Sequence, residues 1–144
     1  LSQVLSSPFW GRMADRTSRT VMQLSAWMAV AASALAILLT WLPVAALQQG
    51  GYFLVFMLLG LTEAGVRLGR KTYLVDAVPQ EERATYMATT NTLVGIVAVG
   101  TGLAGLIAQY GGSLVMIVVL GLGALCSVAA CRHLPEADKM LTFE

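Results

Sequence analysis

Two long stretches of this chain carry no charged residue: residues 20–62, 43 in all, and residues 84–131, 48 in all. A helix that crosses a bilayer needs about 20 predominantly apolar residues. Each stretch is therefore too long for one crossing and long enough for two joined by a short turn. Turn signals lie where such joints are needed. The first stretch holds Pro43 and then Gln48-Gln49-Gly50-Gly51; the second holds Gln109-Tyr110-Gly111-Gly112-Ser113. Proline, glycine and polar clusters punctuate helices in this way. The predicted spans are residues 24–42, 52–68, 86–108 and 114–131. Residues 1–9 read as the partial end of an earlier span, and residues 132–144 as a polar tail.

These segments read as helices. Strands of a membrane barrel alternate apolar and polar residues over about ten positions, and a run such as Ala34-Leu35-Ala36-Ile37-Leu38-Leu39 does not alternate. A helix satisfies its backbone hydrogen bonds within one segment, as a lipid environment requires. The expected fold class is all-α, a polytopic transmembrane helix bundle. Composition agrees: 57% of residues are hydrophobic, 12% are charged, and the mean hydropathy is +0.73. A soluble domain is about 25% charged, and a disordered chain combines low hydrophobicity with high charge. A net charge of +1 gives no general affinity for nucleic acid.

The placement of charge says more than its sum. Arg12, Arg16 and Arg19 precede the first full span. Arg67, Arg70, Lys71 and Arg83 lie between the second and third, and Arg132 and Lys139 follow the fourth. The turns within each pair of spans hold no basic residue. Basic loops stay cytoplasmic, so all three basic zones, and the C-terminal tail, are expected on the inner face. The chain shows neither an initiator Met nor a charged segment before an apolar core. No signal peptide is visible, and the chain is expected to start inside a longer protein.

Helices in lipid associate through close approach of small residues. Ala26, Ala29, Ser33, Ala36 and Thr40 form one such stripe. Gly95, Ala98, Gly102 and Gly105 form another, with Gln109 next in register. Tight helix–helix contact is the expected use of both; lining a cavity or sliding during a conformational change is the alternative. Gly65 and Gly69 make a further, weaker pair. Cys126 and Cys131 stand about 140° apart around a helix, so neither a disulfide nor a metal site is expected, and both read as packing residues. The lone His133 reads as an interfacial side chain. Trp10, Trp41, Tyr52 and Tyr110 read as membrane-interface anchors.

Two loops are more specific. The first runs Gly11-Arg12-Met13-Ala14-Asp15-Arg16-Thr17-Ser18-Arg19-Thr20. In it an Asp can pair with an Arg and also sit near a positive helix N-terminus. The second runs Arg70-Lys71-Thr72-Tyr73-Leu74-Val75-Asp76-Ala77-Val78-Pro79-Gln80-Glu81-Glu82-Arg83. There Pro79 suits the first turn of a helix, Glu81 and Glu82 suit its positive end, and Asp76 can cap or pair with Arg83.

The first loop resembles the signature Gly-x-Leu-Ala-Asp-Arg-x-Gly-Arg-Arg of the major facilitator superfamily of transporters. Gly11, Ala14, Asp15, Arg16 and Arg19 match; Met13, Ser18 and Thr20 depart from it. The Asp-x-x-Pro-x-x-x-Arg pattern of the second loop resembles the inward loop between the fourth and fifth helices of a six-helix half. The order of loops and spans fits over essentially the whole chain. The resemblance implies a partial six-helix half, with the last five helices of a twelve-helix protein favoured. It also implies that Gly11, Asp15, Arg16 and Arg19 clasp a neighbouring helix end and latch one state of a transport cycle. Arg70, Lys71, Asp76, Pro79 and Arg83 would form the second inner loop.

The implied function is secondary active transport of a small solute by alternating access. The implied partners are membrane lipid, an unidentified small-molecule substrate and the N-terminal half of the same transporter, with no nucleic acid, metal or cofactor. The expected location is a bacterial inner (plasma) membrane. Glu63 is the one acid inside an apolar segment, and intramembrane acids face a protein interior or a water path. It is also four residues before Arg67, the favourable order for an ion pair. A structural pair and a coupling or substrate role both remain open. Asn91, among Thr89, Thr90 and Thr92, can bond a substrate, a neighbouring helix or its own backbone. A non-transporting scaffold or inactive fragment is the second reading. A membrane-embedded enzyme is the third and weakest, for want of a nucleophile or paired acids.

Overall fold

The computed structural model describes Trp10, Gly11, Met13 and residues 18–134. Four helices follow one another: α1 (Ser18–Thr40), α2 (Ala45–Ala77), α3 (Arg83–Gly111) and α4 (Ser113–His133). All four are long and apolar enough to cross a membrane, and no strand occurs among the described residues. The 33 residues of α2 make about 50 Å of helix. That exceeds a hydrocarbon core of about 30 Å, so α2 extends beyond the predicted span at residues 52–68. The segment at residues 1–9 and the tail from residue 135 lie outside the described residues.

Helix α1 is the centre of the bundle, with α2 on one face and α4 on another. The α1–α2 crossing is close because α2 offers glycines there. A Cβ on Gly65 would meet Ser25 Oγ and, at 3.1 Å, the Trp10 ring; one on Gly69 would lie 2.8 Å from Met22 Cγ. The pair that gave the weaker sequence signal is thus the one that sets this contact. Trp10, expected as an interface anchor, instead fills the crossing and is 1% exposed. Trp41 and Tyr110 are exposed, at 79% and 89%. Further along, Ala32, Ala36, Leu39 and Val55 form a second buried cluster, with Tyr52 packed against it.

The turns are shorter than their sequence signals. Gln48-Gln49-Gly50-Gly51 is helical, because the α1–α2 turn is complete before it, between Thr40 and Ala45. Gln48 Nε2 reaches back to donate to the carbonyls of Leu39 and Leu42, at 3.1 and 3.0 Å. The Leu39 carbonyl also accepts from the Leu42 N–H at 3.3 Å, so the glutamine fastens the turn that follows α1. Gly51 clears the Leu39 side chain, which a Cβ would strike. Between α3 and α4 the only break is Gly112, at φ +83° and ψ 163°. That left-handed value favours glycine.

The two small-residue stripes behave differently. In α1, Ala26 and Ala36 are buried and Ser33 faces Gly121 of α4, whose added Cβ would lie 3.3 Å from Ser33 Cβ. In α3, a Cβ on Gly95, Gly102 or Gly105 would meet nothing within 4 Å. No described residue of α3 is buried. The expected tight contact on this stripe is therefore not made within the described chain: α3 packs mainly along α4 and leaves its glycines facing outward.

Gly65→Val should lower stability by about 1–3 kcal/mol through overpacking. Gly102→Ala, at an open helical position, should raise it by about 0.5–1 kcal/mol. Thermal unfolding in detergent distinguishes them, and Ser25→Ala should partly rescue Gly65→Ala because it removes the obstructing hydroxyl.

Candidate functional site

The described basic residues collect at one end of the bundle. Arg19 starts α1, and its guanidinium donates to the last carbonyls of α4, from Nε to Cys131 at 3.3 Å and from Nη2 to Arg132 at 2.7 Å. Gln23, one turn further, donates Nε2 to the same Cys131 carbonyl at 3.3 Å. Gly69 brings the C-terminal part of α2 against Val21 and Met22 of α1. The start of α1, the ends of α2 and α4, and the loop before α3 therefore share one end.

Why Arg19 binds there follows from helix electrostatics. The final carbonyls of a helix have no intrahelical partner and carry the negative end of its dipole. A guanidinium presents several donors in a fixed fork. Gly11, also expected in this loop group, lies in a helical stretch with Trp10 and Met13. Asp15 and Arg16 lie outside the described residues. Gln23 was not singled out in the sequence; its spacing of four from Arg19 was the available signal.

The second inner loop is a tight turn. Val78 ends α2 in extended backbone. The Glu82 N–H then donates to the Pro79 carbonyl at 3.1 Å, and α3 begins at Arg83. Pro79 thus opens the turn before the helix and not its first turn, because the helical ladder starts one residue ahead of Arg83, where Tyr86 N–H donates to the Glu82 carbonyl. Arg83 Nε donates to the Val78 carbonyl at 3.1 Å. The guanidinium thereby closes the loop through the backbone, and Asp76, expected to pair with it, forms no ion pair among the described residues. Lys71 and Asp76 are exposed.

Arg70 and Asn91 come together, with Arg70 Nη2 donating to Asn91 Oδ1 at 3.3 Å across α2 and α3. The neighbouring Thr89, Thr90 and Thr92 bond carbonyls of their own helix. One to two turns deeper on α2, Glu63 accepts from Arg67 in an i,i+4 ion pair; both side chains are more than half exposed, at 56% and 61%. Glu63, Arg67, Arg70 and Asn91 thus set polar groups along α2 and α3 amid exposed apolar side chains such as Val66, Leu93 and Val94, whereas the exposed side chains of α4 between Leu114 and Leu125 are apolar throughout.

A bundle of long apolar helices joined by polar loops of this form is that of an integral membrane protein. The family model of the Major Facilitator Superfamily matches residues 1–142. The chain belongs to that family, whose members are membrane transporters. Comparison with curated proteins and with solved structures gave no match.

Arg19→Ala removes both bonds to α4 and should cost about 1–2 kcal/mol. Arg19→Lys keeps the charge without the fork and should recover part of the loss. Thermal unfolding, together with faster amide exchange in the last turn of α4, checks this.

Proposed function

We propose that this chain supplies part of one helical half of a secondary transporter, which moves a small solute by alternating access. The family match over residues 1–142 carries the reading. The three basic zones are placed at the cytoplasmic face on the charge rule, in a bacterial inner membrane. Substrate passes along the side of α2 and α3 that carries Glu63, Arg67, Arg70 and Asn91, while the apolar face of α4 meets lipid. The glycine face of α3, which has no neighbour among the described residues, receives a helix of the opposing half.

The loop of Gly11, Asp15, Arg16 and Arg19 acts as the conformational latch. What supports this is that Arg19 already grips a neighbouring helix end, so a movement of α4 against α1 must break those bonds. Arg70, Lys71, Asp76, Pro79 and Arg83 form the second inner loop, held rigid through Arg83. Glu63 and Arg67 form the charged pair of the path, and Asn91 positions Arg70 beside it. A carboxylate so placed in the bilayer serves coupling or substrate binding. No Gly-rich phosphate loop with its Lys occurs in the sequence, so an ion or solute gradient is the energy source in this reading.

Cysteine accessibility tests the path without knowledge of the substrate. With Cys126 and Cys131 replaced by Ser, Glu63→Cys and Asn91→Cys should react with a membrane-impermeant thiol reagent. Leu122→Cys on α4 should stay unlabelled. Equal protection of all three positions would remove the aqueous path, and labelling of Leu122→Cys would remove the lipid assignment of α4.

A further inference from the structure

We infer that the inner ends of α1 and α4 bind the phosphate of an anionic phospholipid through Arg132 and Trp27. Arg19 uses the backbone carbonyl of Arg132, and this leaves the Arg132 side chain on the outer surface. Its guanidinium carbon lies 5.8 Å from the centre of the Trp27 ring. That ring is 46% exposed.

The direction of Arg132 is informative. Arg19 and the Arg132 carbonyl are level because they are hydrogen-bonded. Trp27 is two turns beyond Arg19 on α1, and its ring meets the Arg132 guanidinium between the two helices. A long cationic side chain at a membrane interface ordinarily extends outward to water. Here it lies against an indole at the end of the bundle where the basic residues collect, a position from which a lipid headgroup is within reach.

The ring face attracts the cation but does not neutralise it. No carboxylate pairs with Arg132 among the described residues; the ion pair present is Glu63–Arg67 on α2. His133 adds a second basic group in the same last turn. A phospholipid phosphate supplies what is missing. It is anionic, and its oxygens match the guanidinium fork. The Trp27 indole can donate to the adjoining ester, as interfacial tryptophans do. The apolar surface of α4 beside it takes the acyl chains. Bound there, the lipid ties α4 to α1 beside the Arg19 clasp.

The test uses the full chain purified in detergent and titrated with phosphatidylglycerol or phosphatidylcholine, read by native mass spectrometry and thermal unfolding. Phosphatidylglycerol should be retained and should raise the unfolding temperature, with phosphatidylcholine much weaker. Arg132→Gln should weaken phosphatidylglycerol binding about tenfold, the size of one charge-assisted hydrogen bond. Trp27→Leu should weaken it less, and Lys71→Gln should leave it unchanged. Equal retention of the two lipids, or equal loss in Lys71→Gln and Arg132→Gln, would overturn the proposal in favour of a diffuse positive surface. Equivalent stabilisation by inorganic phosphate alone would overturn the lipid as the ligand. Arg132→Lys, which keeps the charge, covers the case in which Arg132→Gln does not fold.

Discussion

A helix in lipid closes its own ladder of hydrogen bonds except at its ends, and the rest of this bundle depends on how those ends are completed. Side chains from neighbouring helices do it here. Gln48 of α2 serves the carbonyls at the end of α1. Arg19 and Gln23 of α1 serve those at the end of α4. Each contact satisfies a helix terminus and joins two helices at once. The central place of α1 follows, since it receives one clasp at its far end and gives the other at its near end. Hydroxyls within the helices are handled locally: Ser25, Thr62 and Thr72 each donate to the carbonyl four residues back. They can lie in apolar segments without demanding a partner across the interface.

Close approach of the backbones is the second constraint. Lipid tails are as apolar as leucine, so burial of leucine against leucine gives little net association and shape fit decides. The α1–α2 contact has that fit, with Gly65 and Gly69 admitting Ser25, Trp10 and Met22. It joins α1 and α2 at the same end as the Arg19 clasp. The clasp links α1 to α4 through hydrogen bonds at that end, whereas α1 and α2 are joined there by close packing.

The features legible in the sequence are those governed by one-dimensional rules. Charge-free length locates four helices, and the basic residues mark the ends that meet. The two loop patterns identify the family. Pairings that depend on three dimensions were not legible. The Gln48-Gln49-Gly50-Gly51 cluster has turn composition, yet it is helix, because its glutamine is needed to reach back over a turn already made and its glycine to clear Leu39. Trp10 has the position of an interface anchor, but a void beside Gly65 accepts its ring. Arg83 has an acid within reach in sequence, yet it takes the Val78 carbonyl, which closes the turn more directly. In each case the residue type fits two environments, and the neighbour that decides between them is distant in the chain or is backbone.

Helix α3 carries this reasoning furthest. Glycine in a helix is less favourable than alanine by about 0.5–1 kcal/mol at each position. Gly95, Gly100, Gly102 and Gly105 place four such costs in one helix, and none of them relieves a contact with another described residue. At Gly65 and Gly69 the same cost is offset by the crossing they permit. An open glycine face of this kind would suit a backbone-to-backbone approach by a further helix, or a sliding contact that needs a smooth face, as the proposed function asks. A moving interface requires both, since side chains that interlock resist displacement and small residues do not. The α3 glycines thus belong with the transport reading. The bundle is tight where α1 holds α2, clasped at one polar point where α4 meets α1, and open along the glycine face of α3.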